Sequence, residues 1–374
     1  MEVFMQDSTS FVCNEEKYII SFQHLCEQYG YKKFRMSKFE DYDLYLENKN
    51  FLKSGNIITF NGPSGRLLAL KPDITLSIVK NARDALTPHR VYYSEKVYRA
   101  SDDANDIREI TQAGVEFIGD VDIYAMSEVL LLAQKSLKLV CDDYIIGISH
   151  TALISGLLNA AGLSLSVCEK IHSLIKNKNA HEIRKVCADE NVSSVLTEKI
   201  ASLACIFGNF SDTLPLLSEL CIDEQTTKAV EELKSIYSLL LETGYADRLC
   251  IDFSVTNDMD YYNGITFQGF IRSIPQSVLS GGRYDNLLRK FSRQSDAVGF
   301  AVYIDLIERY SKSEKTLTAD VAVIYDKNDM SGLSSAVSKL IDDGNSVRVQ
   351  TCISPDEQYG KIYKFSEGRL VNND

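Results

Sequence analysis

Between Val97 and Gly119 the chain reads V-Y-R-A-S-D-D-A-N-D-I-R-E-I-T-Q-A-G-V-E-F-I-G, a strand, a short acidic loop and a second strand. In the second strand Gln112, Gly114 and Glu116 alternate with Ala113, Val115 and Phe117. Strand side chains have a period of two, so the polar trio shares one face and the apolar trio the other. An amide and a carboxylate flanking a glycine suit a small polar ligand: the side chains supply hydrogen bonds, and the glycine leaves open space above the sheet. Taken alone, the same alternation describes a surface hairpin with one wet face. Two further groups offer chemistry. Asp73 and Thr75 stand just before a helical run, where capping the helix is a sufficient role for either. Gly281 and Gly282, in S-G-G-R-Y-D-N-L-L, bring backbone N–H groups close to a ligand or simply make a turn. His150, His172 and His181 have no carboxylate or cysteine cluster at ligand spacing, so they read as solvated or core histidines. No metal or cofactor is expected.

The elements that must position these residues follow from periodicity. Residues 14–29 form a helix with Ile19, Phe22 and Cys26 on one stripe, stopped by Gly30. F-E-D-Y-D-L-Y-L-E-N (39–48) reads as a second helix. Strands at 57–60 and 67–70 are joined by the turn N-G-P-S-G, and a helix starts near Thr75. A strand over 90–99 leads into the central hairpin. A helix over 122–140 and a strand over 144–149 follow. From His150 to about Thr243 glycine is rare and helical periodicity dominates, as in a helical insertion between strand-rich halves. Strands return at 248–253, after D-Y-Y (260–262) and at 299–304, the last followed by a helix to about Arg309. A polar linker, 311–318, precedes a small βαβ unit with a tail.

Composition excludes several classes. The formal net charge of −12 is a poor footprint for a nucleic-acid binder. The nine cysteines contain no C-x-x-C pair and read as reduced, mostly buried cytosolic thiols. No apolar run approaches the ~20 residues that span a bilayer, and M-E-V-F-M-Q-D lacks a signal-peptide core. A cytoplasmic protein is expected.

Five separated motifs, in order, resemble those of histidyl-tRNA synthetase across nearly the whole chain. F-N-G-P-S-G-R-L-L-A-L-K-P-D-I-T (60–75) is similar to that family's F-x-D-x-x-G-R-x-L-x-L-R-P-E/D-x-T. Residues 97–119 resemble its class II motif 2. D-Y-Y (260–262), G-G-R-Y-D (281–285) and G-F-A-V-Y-I-D (299–305) resemble its histidine-binding and motif 3 segments. The resemblance implies an α+β fold: a class II aminoacyl-tRNA synthetase-like antiparallel sheet flanked by helices over 1–310, a helical insertion at about 150–243, the 311–318 linker, and a small C-terminal α/β unit over 319–374. It also implies roles. Asp73, Thr75 and Gln112 would grip the α-amino group of histidine, and Glu116 and Tyr262 would hydrogen-bond its imidazole. Arg99 would face a carboxylate or phosphate, with Gly281, Gly282 and Arg283 in the same site. Bland alternatives stand beside these: Asp73 as a cap, Tyr261 and Tyr284 as core aromatics, Arg283 as half of an ion pair.

Departures from the synthetase pattern set the expected function. Asn257 stands where the synthetase has an arginine, and Leu306 where motif 3 has the arginine that holds ATP. Asp102, Asp103 and Asp106 replace a basic loop. Adenylate formation depends on fixed cations around phosphate, and losing one such donor costs roughly 10²–10³ in rate. Lys71 and Arg108 do not occupy the emptied positions. The remaining pattern resembles the regulatory subunit of ATP phosphoribosyltransferase. The expectation is therefore a chain with no catalytic residues of its own. It would bind histidine, pair with a short-form catalytic subunit in the first step of histidine biosynthesis, confer feedback, form a homodimer within a hetero-oligomer, and use neither tRNA nor a membrane. The alternatives are a divergent histidyl-tRNA synthetase, or a histidine sensor with another partner.

Overall fold

The computed structural model describes residues 14–48, 57–82, 87–100, 107–255, 261–311 and 317–373. The chain forms two compact units, one spanning Tyr18–Glu308 and a second that includes Arg309–Asp374.

The described helices and strands, in chain order, begin with α1 (Asn14–Gln28), β1 (Lys32–Lys33), β2 (Phe39–Asp41), α2 (Tyr42–Glu47), β3 (Thr59–Asn61), β4 (Leu67–Leu70) and α3 (Thr75–Asn81). The long hairpin β5 (His89–Ala100) and β6 (Ile107–Gly119) comes next, then α4 (Ile123–Lys138) and β7 (Tyr144–His150). Helices α5 (Thr151–Ala160), α6 (Leu165–Lys176), α7 (Ala180–Asp189) and α8 (Ser194–Leu203), the short β8 (Phe207–Asn209), α9 (Phe210–Leu220) and α10 (Glu224–Glu242) make the helical insertion. The remaining elements are β9 (Leu249–Asp252), β10 (Ile265–Ile271), β11 (Leu279–Arg283), α11 (Asp285–Lys290), β12 (Asp296–Tyr303), α12 (Ile304–Ser311), β13 (Ala319–Ile324), α13 (Leu333–Asp342), β14 (Val347–Gln350), β15 (Tyr359–Ser366) and β16 (Arg369–Asn372).

A nine-stranded sheet in the order β1-β5-β6-β12-β11-β10-β7-β9-β8 organises the larger unit. Its pairs are antiparallel except β1–β5 and β7–β9. One face packs against α1 and α4: Phe22, Cys26, Val129, Leu130, Ala133 and Leu137 join Ala113, Val115 and Phe117 in a single apolar core. The insertion extends this core, since Ile171, Ile183, Ile200, Leu217 and Leu233 belong to it. Adding helices to an existing hydrophobic surface avoids the burial deficit that a separate small domain would carry. The opposite face carries a second cluster, with Tyr45, Leu76, Val79, Tyr93, Tyr261, Tyr262, Tyr284 and Leu287.

Three local expectations change. The stretch 39–48 is a strand followed by a short helix, because Phe39–Asp41 pairs with Leu68–Leu70 of β4. The tail is not a loose end: β15 pairs parallel with β13 and then antiparallel with β16, so the βαβ unit is completed into a four-stranded sheet. Finally, from Thr111 to Gly119 β6 has no wet face. Gln112 is 4% exposed and Glu116 2%, because the second cluster covers the polar side of the strand.

Candidate ligand-binding site

Two buried faces on one strand leave the polar trio of β6 inside the protein. A small cleft opens above it. It is lined by Asp73, Thr75, Tyr93, Arg99, Gln112, Glu116, Tyr261, Tyr262, Ser280, Tyr284 and Tyr303, with β12 backbone as part of its floor. The elements that deliver these groups are the start of α3, the β5–β6 hairpin, the segment before β10, and the β11–α11 junction.

Glu116 is the centre. Its Oε1 accepts a hydrogen bond from the Thr75 hydroxyl at 2.9 Å, and its Oε2 accepts one from the Tyr284 hydroxyl at 2.5 Å. Neither partner carries a positive charge. Burial therefore pushes the Glu116 carboxyl up to about 8, the two hydroxyl bonds opposing the shift and Asp73 adding to it. Gly299 lies opposite Glu116 in the β6–β12 register. A Cβ at Gly299 would stand 1.7 Å from Glu116 Oε2, so the carboxylate occupies the space a side chain would take. Gly114 plays a similar part, and differently from the expectation. The space above it is not open: a Cβ there would meet the Tyr93 hydroxyl and the Phe300 carbonyl, both at 2.3 Å. Burial pushes the Tyr93, Tyr261 and Tyr284 hydroxyls well above the usual tyrosine range, with the Glu116 charge reinforcing each. The Tyr261 ring packs 4.7 Å from Tyr262 and 5.8 Å from Tyr284, centroid to centroid.

Asp73 lines the cleft and also caps α3, its Oδ1 accepting from the Leu76 N–H at 2.9 Å. Arg99 is held at the rim by a 3.2 Å bond from its Nε to the Pro72 carbonyl. Among the described lining residues it is the one cation. Lys71 is fully buried and bonded to Glu95 at 3.2 Å, burial lowering its pKa, and it does not line the cleft. Leu306 packs at the margin of the apolar core. Arg108 is exposed and outside the lining. Asn257, Asp102, Asp103 and Asp106 lie outside the described residues.

Six of the residues singled out in the sequence, Asp73, Thr75, Arg99, Gln112, Glu116 and Tyr262, meet in this cleft. Gly281, Gly282 and Arg283 do not line it. Gly281 is glycine because a Cβ would strike the Gly299 carbonyl at 2.4 Å and the Phe267 ring at 2.6 Å; at Gly282 the obstacle is the Tyr262 ring at 2.6 Å. Both serve close packing of β11, and Gly282 seats Tyr262. The Arg283 guanidinium is spent on carboxylates, 2.8 Å from Asp285 and 2.8 Å from Asp296. Conversely Tyr284, Tyr93 and Gly299 carry more of the site than their motifs announced. Gly299 opens the G-F-A-V-Y-I-D segment, but only the β6–β12 register reveals that it faces Glu116. His150 is a satisfied core histidine, accepting from the Ala152 N–H and lying 3.3 Å from Glu232. Among the described residues no cluster could hold a metal ion, and no helix is long and apolar enough to cross a membrane.

The sheet, the helices on one face and the polar cleft on the other define a class II synthetase-like body. The histidyl-tRNA synthetase family model matches residues 11–307. A crystal structure of an ATP phosphoribosyltransferase regulatory subunit/histidyl-tRNA synthetase from Bacillus halodurans superposes with a TM-score of 0.77 at 23% identity, covering 94% of this chain and 93% of that one. An ATP phosphoribosyl transferase complex from Thermotoga maritima gives 0.61 at 21% identity, covering 77% and 96%. The ATP phosphoribosyltransferase regulatory subunit of Oceanobacillus iheyensis is 32% identical over 352 residues, 92% of this chain and 85% of its own length. The chain belongs to the family of ATP phosphoribosyltransferase regulatory subunits, which carry the histidyl-tRNA synthetase-like fold.

Proposed function

We propose that this chain is the non-catalytic regulatory partner of a short ATP phosphoribosyltransferase catalytic subunit, supporting the first step of histidine biosynthesis and making it responsive to histidine. The observation that carries the reading is the make-up of the cleft: among the described lining residues, two carboxyl groups, Asp73 and Glu116, stand against one arginine, Arg99. That set suits a small zwitterion with a basic ring and is ill suited to a triphosphate, whose transfer chemistry rests on several fixed cations. Asp73, Thr75 and Gln112 take the ammonium, Arg99 the carboxylate, and Glu116 with Tyr262 the imidazole. Gly281, Gly282 and Arg283 hold β11 and Tyr262 in place beneath them. Binding without turnover gives control when histidine favours one state of the assembly over another. The working form is a homodimer within the hetero-oligomer, with no call on tRNA.

The test is reconstitution. The short catalytic subunit is assayed for phosphoribosyl-ATP formation alone, with this chain, and with this chain plus histidine. The expected outcome is activity that appears with the chain and falls with histidine. Equal activity in the presence and absence of the chain contradicts the proposal.

A further inference from the structure

Glu116 is placed where an ionised carboxylate is poorly supported. It is 2% exposed, and the hydroxyls of Thr75 and Tyr284 donate to its two oxygens. Among the described residues, the titratable groups that face it are one further carboxylate, Asp73 from the approach to α3, and phenols: Tyr93 from β5, Tyr261 and Tyr262 from the segment before β10, and Tyr284 from the β11–α11 junction. From β12, Gly299 offers only the space in which Oε2 sits, and Tyr303 lines the wall beyond. Arg99, the cation of the cleft, is bonded to the Pro72 carbonyl. A buried carboxylate so surrounded keeps its proton until a cation arrives beside it.

We infer that Glu116 selects its ligand by proton transfer: the carboxyl hands its proton to a basic ring nitrogen, and the pocket holds the resulting imidazolium–carboxylate pair. The inference rests on the histidine reading of the site given above. In the step, the O–H bond of Glu116 breaks and an N–H bond forms on the ring. No proton is gained or lost overall, and two neutral groups become an ion pair whose attraction is strengthened by burial. A ring of the same shape without a basic nitrogen leaves the carboxyl protonated and gains no such pair.

The consequence is a window of pH. The bound pair contains one proton. Below the imidazole range, ~6.5, the free partners together hold two, and one must be released to bind. Above about 8 they hold none, and one must be taken up. Affinity therefore falls about tenfold per pH unit on each side of a plateau.

The measurement is calorimetric titration of L-histidine into the full chain, alone and assembled with the catalytic subunit, across about pH 5 to about pH 9.5. The expected result is a bell, with the alkaline limb abolished in E116Q, which is near-isosteric and cannot donate the same proton. In buffers of different ionisation enthalpy, binding heats should agree on the plateau and diverge on both limbs. A wild-type affinity that is flat through the alkaline range, or an unchanged alkaline limb in E116Q, overturns the inference while leaving histidine binding intact. Absence of histidine binding in both preparations at every pH sinks the histidine reading and this inference with it.

Discussion

Glu116 and Asp285 are both buried carboxylates of the same sheet region, and the protein treats them in opposite ways. Asp285, 6% exposed, accepts from Arg283 Nε at 2.8 Å, Asn263 Nδ2 at 2.9 Å and the Ala297 N–H at 3.0 Å. Its charge is matched by a cation and its oxygens are occupied, so it clamps the β11–α11 junction to β12. Among the described residues Glu116 has two hydroxyl partners and no cation bonded to it, and burial raises it to about 8. The first arrangement is finished within the chain; the second leaves, among the described residues, a place where the proposed ligand's positive charge would fit. The contrast is a physical criterion for separating a carboxylate that holds the fold from one that waits for a ligand.

Substitutions at the two sites sharpen the contrast. The larger effect belongs to Glu116 and depends on pH. Its folded pKa, about 8, lies above the ordinary 4.5, so the folded state binds the extra proton between those values. Stability is fully present below the unfolded pKa and is lost as pH rises through about 8. At about 1.4 kcal/mol per unit, the loss is up to about 5 kcal/mol. Urea unfolding at a series of pH values should show wild type weakening across this window, and E116Q should remove most of that slope. Equal slopes would mean that Glu116 is already ionised, and the difference between the two carboxylates would vanish. The smaller effect is Asp285→Ala, which leaves the Ala297 N–H without its acceptor and Arg283 with Asp296 as its remaining carboxylate. A loss of about 1–3 kcal/mol is expected by the same unfolding measurement at neutral pH. A loss under about 1 kcal/mol would show that the clamp is not structural.

Much of this was legible in the residues. The period-two alternation of β6 placed Gln112 and Glu116 on one face, and the helical stripes of 14–29 and 122–140 found the layer that covers the other. The buried state of the polar face was not legible, because it depends on Tyr93, Tyr261, Tyr262 and Tyr284 arriving from distant segments. The G-G-R-Y-D stretch shows the same limit. A motif marks residues that a site needs, without separating those that touch a ligand from those that seat its walls; Gly281, Gly282 and Arg283 are of the second kind, and Tyr284, two bonds of chain away from the glycines' role, reaches Glu116. Gly299 depends on strand register, which no local pattern encodes.

The central claim is that the cleft, with Arg99 as the one cation among its described lining residues, has too little positive charge for adenylate chemistry. Histidine-dependent exchange of pyrophosphate into ATP, catalysed by the purified full-length chain, tests this most directly. The account predicts no exchange above background, under conditions where calorimetry detects bound histidine. Sustained histidine-dependent exchange would contradict it.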